Sequence, residues 1–216
     1  MHPLARRIEH TLLRPTATAD DIARLCDEAA EHHFHAVCVS GRWVQAAAER
    51  LASTDVSACT VVGFPLGATH TAIKVFETEL AIVHGAREID MVLDLGALLG
   101  GDLDGARQDV SAVVAAAESE VPVKVILETG YLSSEQIETA CAVVRDAGAA
   151  FVKTSTGFGP RGASVDDVRT MKRVVGDALG IKAAGGIRTV ADAEAMVEAG
   201  ADRLGTSAGV ALVGGA

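Results

Sequence analysis

The chain has 216 residues and 22.2 kDa, enough for one large domain, with 49% apolar residues to fill its core. Aromatic residues make up only 3%, and 29 acidic against 19 basic residues give a net charge of −10. That balance excludes nucleic acid as a partner, since polyanion binding needs a basic face and stacking rings. No segment reaches about 18 apolar residues without a charge, so no membrane span is expected. Residues 1–15 lack the apolar core of a secretory signal, so a cytoplasmic location is expected. Cys26, Cys38, Cys59 and Cys141 are scattered, form no C-x-x-C pair, and read as reduced core thiols.

The elements alternate strand and helix from the start. IEHTLL (8–13) is the first β-rich run, and Thr18-x-x-Asp21 then opens a helix with Ile22, Leu25 and Ala29 at helical spacing. AVCVS (36–40) and VSACTVVG (56–63) are the second and third runs, with Trp43 beginning the helix between them as a packing residue. EIDMVLD (88–94) and PVKVILE (122–128) are the fourth and fifth. Ser133-x-x-Gln136 starts the helix carrying Ile137, Cys141 and Val144, and AFVKTS (150–155) is the sixth run. Ser164-x-x-Asp167 precedes Val168, Met171 and Val175; GIKAAG (180–185) is the seventh run. Thr189-x-x-Asp192 opens the next helix and DRLGTS (202–207) is the eighth run. Gly85, Gly148 and Gly200 hold the C′ position at three similar helix-to-strand joints, and Asp90, Lys153 and Gly205 each lie five residues beyond. No linker or composition break interrupts the pattern, so residues 1–216 are assigned to one domain. Eight such units predict an α/β fold of the TIM (β/α)8-barrel class. An open doubly wound sheet would show a phosphate-binding glycine loop after its first strand, and IEHTLLRP has none.

Alternation along the strands separates two faces. Ile89, Met91 and Leu93, like Val123, Val125 and Leu127, form an apolar face that meets the helices. The opposite face carries Asp90, Lys124, Glu128, Lys153 and Lys182 into the barrel on four consecutive strands. Buried ion clusters rarely add stability over an apolar core, so their presence points to chemistry. Close approach of two ammonium groups favours loss of a proton from one of them, which makes a nucleophilic amine at neutral pH. Such an amine forms an iminium with a carbonyl, an electron sink for carbon–carbon cleavage or formation. Asp90 is placed to move protons in those steps. AAGGIR (183–188) and LGTSAG (204–209) follow strands seven and eight, where bare glycine amides and the Ser207 hydroxyl, expected at the start of the last helix, suit a phosphate. His32, His33 and His35 straddle a helix end and a strand with no Cys or Asp at ligand spacing, so no metal is assigned to them. Cys38 reads as a core thiol that faces the barrel interior.

KTSTGF around Lys153, GIKAAGGIRT around Lys182, EIDMVLDLGAL, VKVILETG, VVGFPLGA and IEHTLLRP together resemble the 2-deoxyribose-5-phosphate aldolase family, in order, from about residue 7 to about residue 210. The resemblance implies a class I, metal-free and cofactor-free aldolase that reversibly cleaves 2-deoxy-D-ribose 5-phosphate to D-glyceraldehyde 3-phosphate and acetaldehyde. It makes Lys153 the Schiff-base residue, Lys182 the cation that favours its free amine, Asp90 the proton donor and acceptor, and Lys124 a supporting member. Thr11 and Thr156 match positions near substrate hydroxyls; Gly157, Gly185, Gly186, Gly205 and Ser207 match the phosphate loops. Three features depart from the commoner pattern: Glu9 and Arg14 replace Asp and Lys, Phe158 replaces a lysine of some relatives, and the sequence ends LVGGA without the tyrosine tail that some relatives carry. Without the resemblance, two other readings stand: a Schiff-base aldolase or transaldolase for another phosphorylated sugar, and a silent barrel that binds a sugar phosphate. A homodimer is compatible with the family and with the many surface alanines, and no interface is legible.

Overall fold

The computed structural model describes residues 2–117 and 119–214. Eight parallel strands close into a barrel in sequence order: β1 Ile8–Leu12, β2 Ala36–Val39, β3 Ser57–Val62, β4 Glu88–Val92, β5 Val123–Ile126, β6 Phe151–Lys153, β7 Gly180–Ala184 and β8 Arg203–Thr206, with β8 pairing back onto β1. This is the TIM barrel expected from the repeat. Around it run α1 Ala19–Glu31, α2 Val44–Leu51, α3 Thr71–Val83, α4 Leu95–Leu99, α5 Leu103–Ala116, α6 Ser134–Asp146, α7 Val165–Val175, α8 Val190–Glu198 and α9 Gly209–Gly214.

Local chemistry sets the boundaries. Thr18, Ser133 and Thr189 form full capping boxes with Asp21, Gln136 and Asp192, satisfying amides that the first helical turn leaves without partners. Ser164 caps α7 only halfway. Its side chain accepts from the Asp167 amide, but the Asp167 carboxylate turns away to Thr129 Oγ1 at 2.9 Å and to Arg161. Gly85 and Gly200 take φ values of +95° and +116°, conformations that a Cβ disfavours, and so let each chain leave its helix for the next strand.

Strand alternation sorts two interiors. Ile89, Met91, Leu93, Val123, Val125, Leu127, Val152 and Ile181 pack outward into the continuous layer shared with the helices. Inside the barrel, Ala36, Cys38 and Cys59 of β2 and β3 form a small separate apolar cluster. The interior faces of β1, β4, β5, β6 and β7 carry the buried Glu9, Glu88, Asp90, Lys124, Lys153 and Lys182. β6 ends at Lys153, two residues before the run predicted from sequence. There the Thr154 hydroxyl takes over the ladder, donating to Ala184 O at 3.1 Å and accepting from Ala184 N at 3.0 Å.

Candidate active site

Lys153, the last residue of β6, is the direct register partner of Lys182 on β7. Asp90 reaches across from β4. Its Oδ2 accepts from Lys153 Nζ at 2.7 Å and from Lys182 Nζ at 2.6 Å, while Oδ1 accepts from Lys124 Nζ at 2.9 Å and from Cys59 Sγ at 3.3 Å. Two more carboxylates complete the cluster. Glu88 Oε2 lies 2.5 Å from Lys124 Nζ, and Glu9 Oε2 lies 3.4 Å from Lys124 Nζ and also accepts from Lys182. Three ammonium groups therefore face three carboxylates, a balance that burial demands.

The compensation is uneven. Lys124 touches three carboxylates, Lys182 two, and Lys153 only the shared oxygen of Asp90. Burial opposes the charge of Lys182, but Asp90 and Glu9 overcome it and hold that ammonium above its ordinary value. Lys124 is likewise driven well up against its burial by Asp90, Cys59, Glu9 and Glu88. Burial would raise Asp90, and the three lysines instead hold it well below the usual carboxylate range. Glu88 is pulled down against its burial to about 2, chiefly by the hydrogen bond from His35 at 2.6 Å and by Lys124.

A cavity of about 510 Å3 opens at the C-terminal ends of the strands, where barrel enzymes place their sites. Of the sequence-predicted residues, Lys153, Thr11, Thr156, Gly157, Gly185, Gly186, Gly205 and Ser207 line it. Asp90, Lys124 and Lys182 sit behind Lys153, beneath the floor. The Lys153 side chain keeps 3% of its surface, whereas Lys124 and Lys182 keep none. Gly157 and Gly186, which line the cavity, have φ of +87° and +81°, conformations that a Cβ disfavours. A Cβ on Gly205 would stand 2.9 Å from Ala184 Cβ and 3.1 Å from Lys182 Cε, so that position has no room for a side chain. Arg14 and Arg188 add positive charge to the lining of an otherwise acidic chain.

Two expectations need correction. Glu128 does not share the interior face with the other four charges. β5 stops at Ile126, and Glu128 takes a left-handed φ of +49°, so its carboxylate accepts from the Thr156 amide at 3.2 Å and from the Thr156 hydroxyl. Ser207 lies two residues before α9, which begins at Gly209 and is only six residues long, so the hydroxyl is not at a helix start. The sequence reading also missed Glu9, noted only as a departure from a motif, although its alternation with Ile8 on β1 was the available signal. Cys38, Cys59 and Asp90 place ligand atoms within 4.8 Å of one another. Both oxygens of Asp90 are already held by ammonium groups, however, and that surrounding field repels a cation.

A parallel barrel with a lysine at the mouth, a lysine–carboxylate cluster behind it and glycine loops after β7 and β8 is built like the lysine-dependent barrel aldolases. Comparison makes this specific: the family model described as DeoC/LacD family aldolase matches residues 5–213, and the chain belongs to that family. It is 53% identical over 216 residues to a deoxyribose-phosphate aldolase of Thermococcus gammatolerans, covering 99% of this chain and 96% of that protein. Among solved structures, a putative deoxyribose-phosphate aldolase from Coccidioides immitis superposes with a TM-score of 0.96 at 42% identity, covering 98% of this chain and 84% of that one. The deoxyribose phosphate aldolase from Aeropyrum pernix, described as a unique tetrameric structure, gives 0.92 at 35% identity, covering 98% and 89%. No helix among the described residues is long and apolar enough to cross a membrane.

Proposed function

We propose that this chain is a class I aldolase that reversibly cleaves 2-deoxy-D-ribose 5-phosphate to D-glyceraldehyde 3-phosphate and acetaldehyde. One observation carries the reading. Of the three clustered lysines, Lys153 alone lines the cavity, and it is the one with the least anionic compensation. An amine must shed its proton to attack a carbonyl, and Lys153 has the fewest anions holding that proton in place.

Lys153 attacks the open-chain aldehyde carbon, and loss of water gives the iminium. Removal of the proton from the C3 hydroxyl then breaks the C2–C3 bond, and the bonding electrons move into the enamine. Glyceraldehyde 3-phosphate leaves; protonation at C2 and hydrolysis release acetaldehyde and restore the amine. Asp90, 2.7 Å from Lys153 Nζ, serves as proton donor and acceptor, directly or through water. Lys182 stays charged throughout and favours the free amine of its neighbour, with Lys124 supporting the network. The amides of Gly157, Gly185, Gly186 and Gly205, with Ser207, hold the phosphate at the far end, and Thr11 and Thr156 face the substrate hydroxyls. The shared fold and family of the Aeropyrum pernix relative support a further reading, that this chain also works as an assembly of identical copies.

Borohydride reduction in the presence of deoxyribose 5-phosphate, followed by peptide mass mapping, tests the proposal. The expected adduct lies on Lys153 and disappears, with turnover, in Lys153→Ala. An adduct elsewhere, or cleavage activity retained by Lys153→Ala, overturns it. EDTA is expected to leave the rate unchanged.

A further inference from the structure

Of the three histidines that follow α1, His35 is the one that reaches the buried cluster. His32 stacks on Phe34 and His33 is exposed. The His35 amide donates to Ile8 O at 2.9 Å and its carbonyl accepts from Ser57 N at 3.1 Å, which pins it between β1 and β3 at the N-terminal rim. From there Nε2 meets Glu88 Oε1 at 2.6 Å. Glu88 Oε2 lies 2.5 Å from Lys124 Nζ, Lys124 donates to Asp90 Oδ1 at 2.9 Å, and Asp90 Oδ2 accepts from Lys153 at 2.7 Å. One unbroken path of hydrogen bonds and ion pairs thus crosses the barrel from its N-terminal end to the amine at the cavity. The His35 side chain keeps 25% of its surface, against 9% for Glu88 and none for Lys124. The path begins at solvent and is buried beyond its first member.

We propose that His35 is a positioning residue for the aldol chemistry, a cation at the N-terminal end of the barrel that offsets the charge Lys153 gives up on becoming a free amine. Charge balance argues for it. With all three lysines protonated, three ammonium groups meet three carboxylates. Once Lys153 sheds its proton, those carboxylates face only Lys124 and Lys182, and a buried excess of one anion is costly. His35 touches the cluster and also meets water, from which it takes a proton directly, and its charge already acts on Glu88. Other cations of this rim have other places. Arg6 pairs with Asp55, Arg7 donates to Ala201 O and Asp202 O, Arg203 lies over the Phe151 ring, and Arg87 is exposed. A positive charge at His35 also repels the proton on Lys153. The two ends of the path lie roughly 12 Å apart, and at an effective dielectric constant of about 20 a unit charge at that range shifts a proton equilibrium about tenfold. The inference rests on the reading of Lys153 as the Schiff-base residue.

The N-terminal rim of a barrel ordinarily serves stability alone, so the experiment separates charge from packing. It compares His35→Gln, which keeps a hydrogen bond to Glu88 without charge, with His35→Lys, which returns a cation. Both are assayed at about pH 7 for cleavage of deoxyribose 5-phosphate and for borohydride trapping on Lys153, with circular dichroism as the folding control. His35→Gln is expected to lower kcat and the trapping rate about tenfold while KM stays within about twofold of wild type. His35→Lys is expected to return both rates to within about threefold of wild type, a recovery that packing alone does not produce. A folded His35→Gln at the wild-type rate, or a folded His35→Lys as slow as His35→Gln, overturns the inference while the Schiff base on Lys153 stands. If His35→Gln does not fold, His35→Ala takes its place. It is expected to be slow alone and faster with imidazole in the buffer, and an absence of rescue overturns the inference. A wild type that forms no adduct on Lys153 overturns the parent reading as well.

Discussion

Replacing Lys182 with Leu tests the electrostatics on which the chemistry depends. Lys153 and Lys182 donate to the same oxygen of Asp90 at 2.7 and 2.6 Å, so their nitrogens lie within roughly 5 Å of each other. At an effective dielectric constant of about 20, a unit charge at that range is worth about 3 kcal/mol, or roughly a hundredfold in the population of free amine. Two effects act in the same direction. The variant loses the repelling cation, and it leaves Asp90 Oδ2 to hold the Lys153 proton alone. The cleavage rate near pH 7 is therefore expected to fall at least about a hundredfold, and the rising limb of the pH–rate profile to move toward alkaline pH. The assay couples glyceraldehyde 3-phosphate release to a reductase across about pH 6 to about pH 10, with circular dichroism as the folding control. A folded variant within about twofold of wild type, on an unshifted profile, refutes the reasoning.

Glu128→Gln is expected to loosen the loop that Glu128 clamps through Thr156 and to raise KM for the phosphorylated substrate more than it lowers kcat; an unchanged KM counts against that role. Lys74, fully buried, donates to Asp109 at 2.6 Å and to Val92 O at 3.1 Å, so Lys74→Met is expected to cost about 3–5 kcal/mol in denaturant unfolding by stranding Asp109. The double variant Lys74→Met, Asp109→Leu should recover much of that loss. Glu88 and Asp90 titrate lower in the folded chain, so the stability they add is present above the ordinary carboxylate range and is lost as pH falls through their folded values. For Glu88, held at about 2, the contribution is about 3 kcal/mol, and Glu88→Gln should flatten the stability decline between about pH 5 and about pH 2. Lys182 and Lys124 titrate higher in the folded chain, so their contribution is present at neutral pH and is lost only as pH rises past the ordinary lysine range.

The parts legible in the sequence are those that periodicity controls. Alternation along EIDMVLD separated Asp90 from Ile89 and Met91, and the capping signals at Thr18, Ser133 and Thr189 located three helix starts, because both depend on residues a few positions apart. Which charges meet is decided by closure instead. Glu9 joins Lys182 across 173 residues of sequence, through the β8–β1 pairing that shuts the barrel, and no local pattern carries that contact. Glu128 failed for the opposite reason: extrapolated alternation assumes that the strand continues, and one left-handed residue ends it. That departure has a use. Had Glu128 stayed in register it would have brought a fourth carboxylate toward three lysines, adding an anion where Lys153 needs fewer. Buried against Thr156 instead, it organises the loop carrying Thr156 and Gly157, and Lys153 keeps its single partner. The glycine at 205 serves the same end, admitting the Lys182 stem at a distance that any side chain would block. The surroundings of Lys153 at the cavity mouth are thus set by two kinds of position, those that bring charge in and those that keep charge or bulk out. The second kind has no motif until the chain is folded.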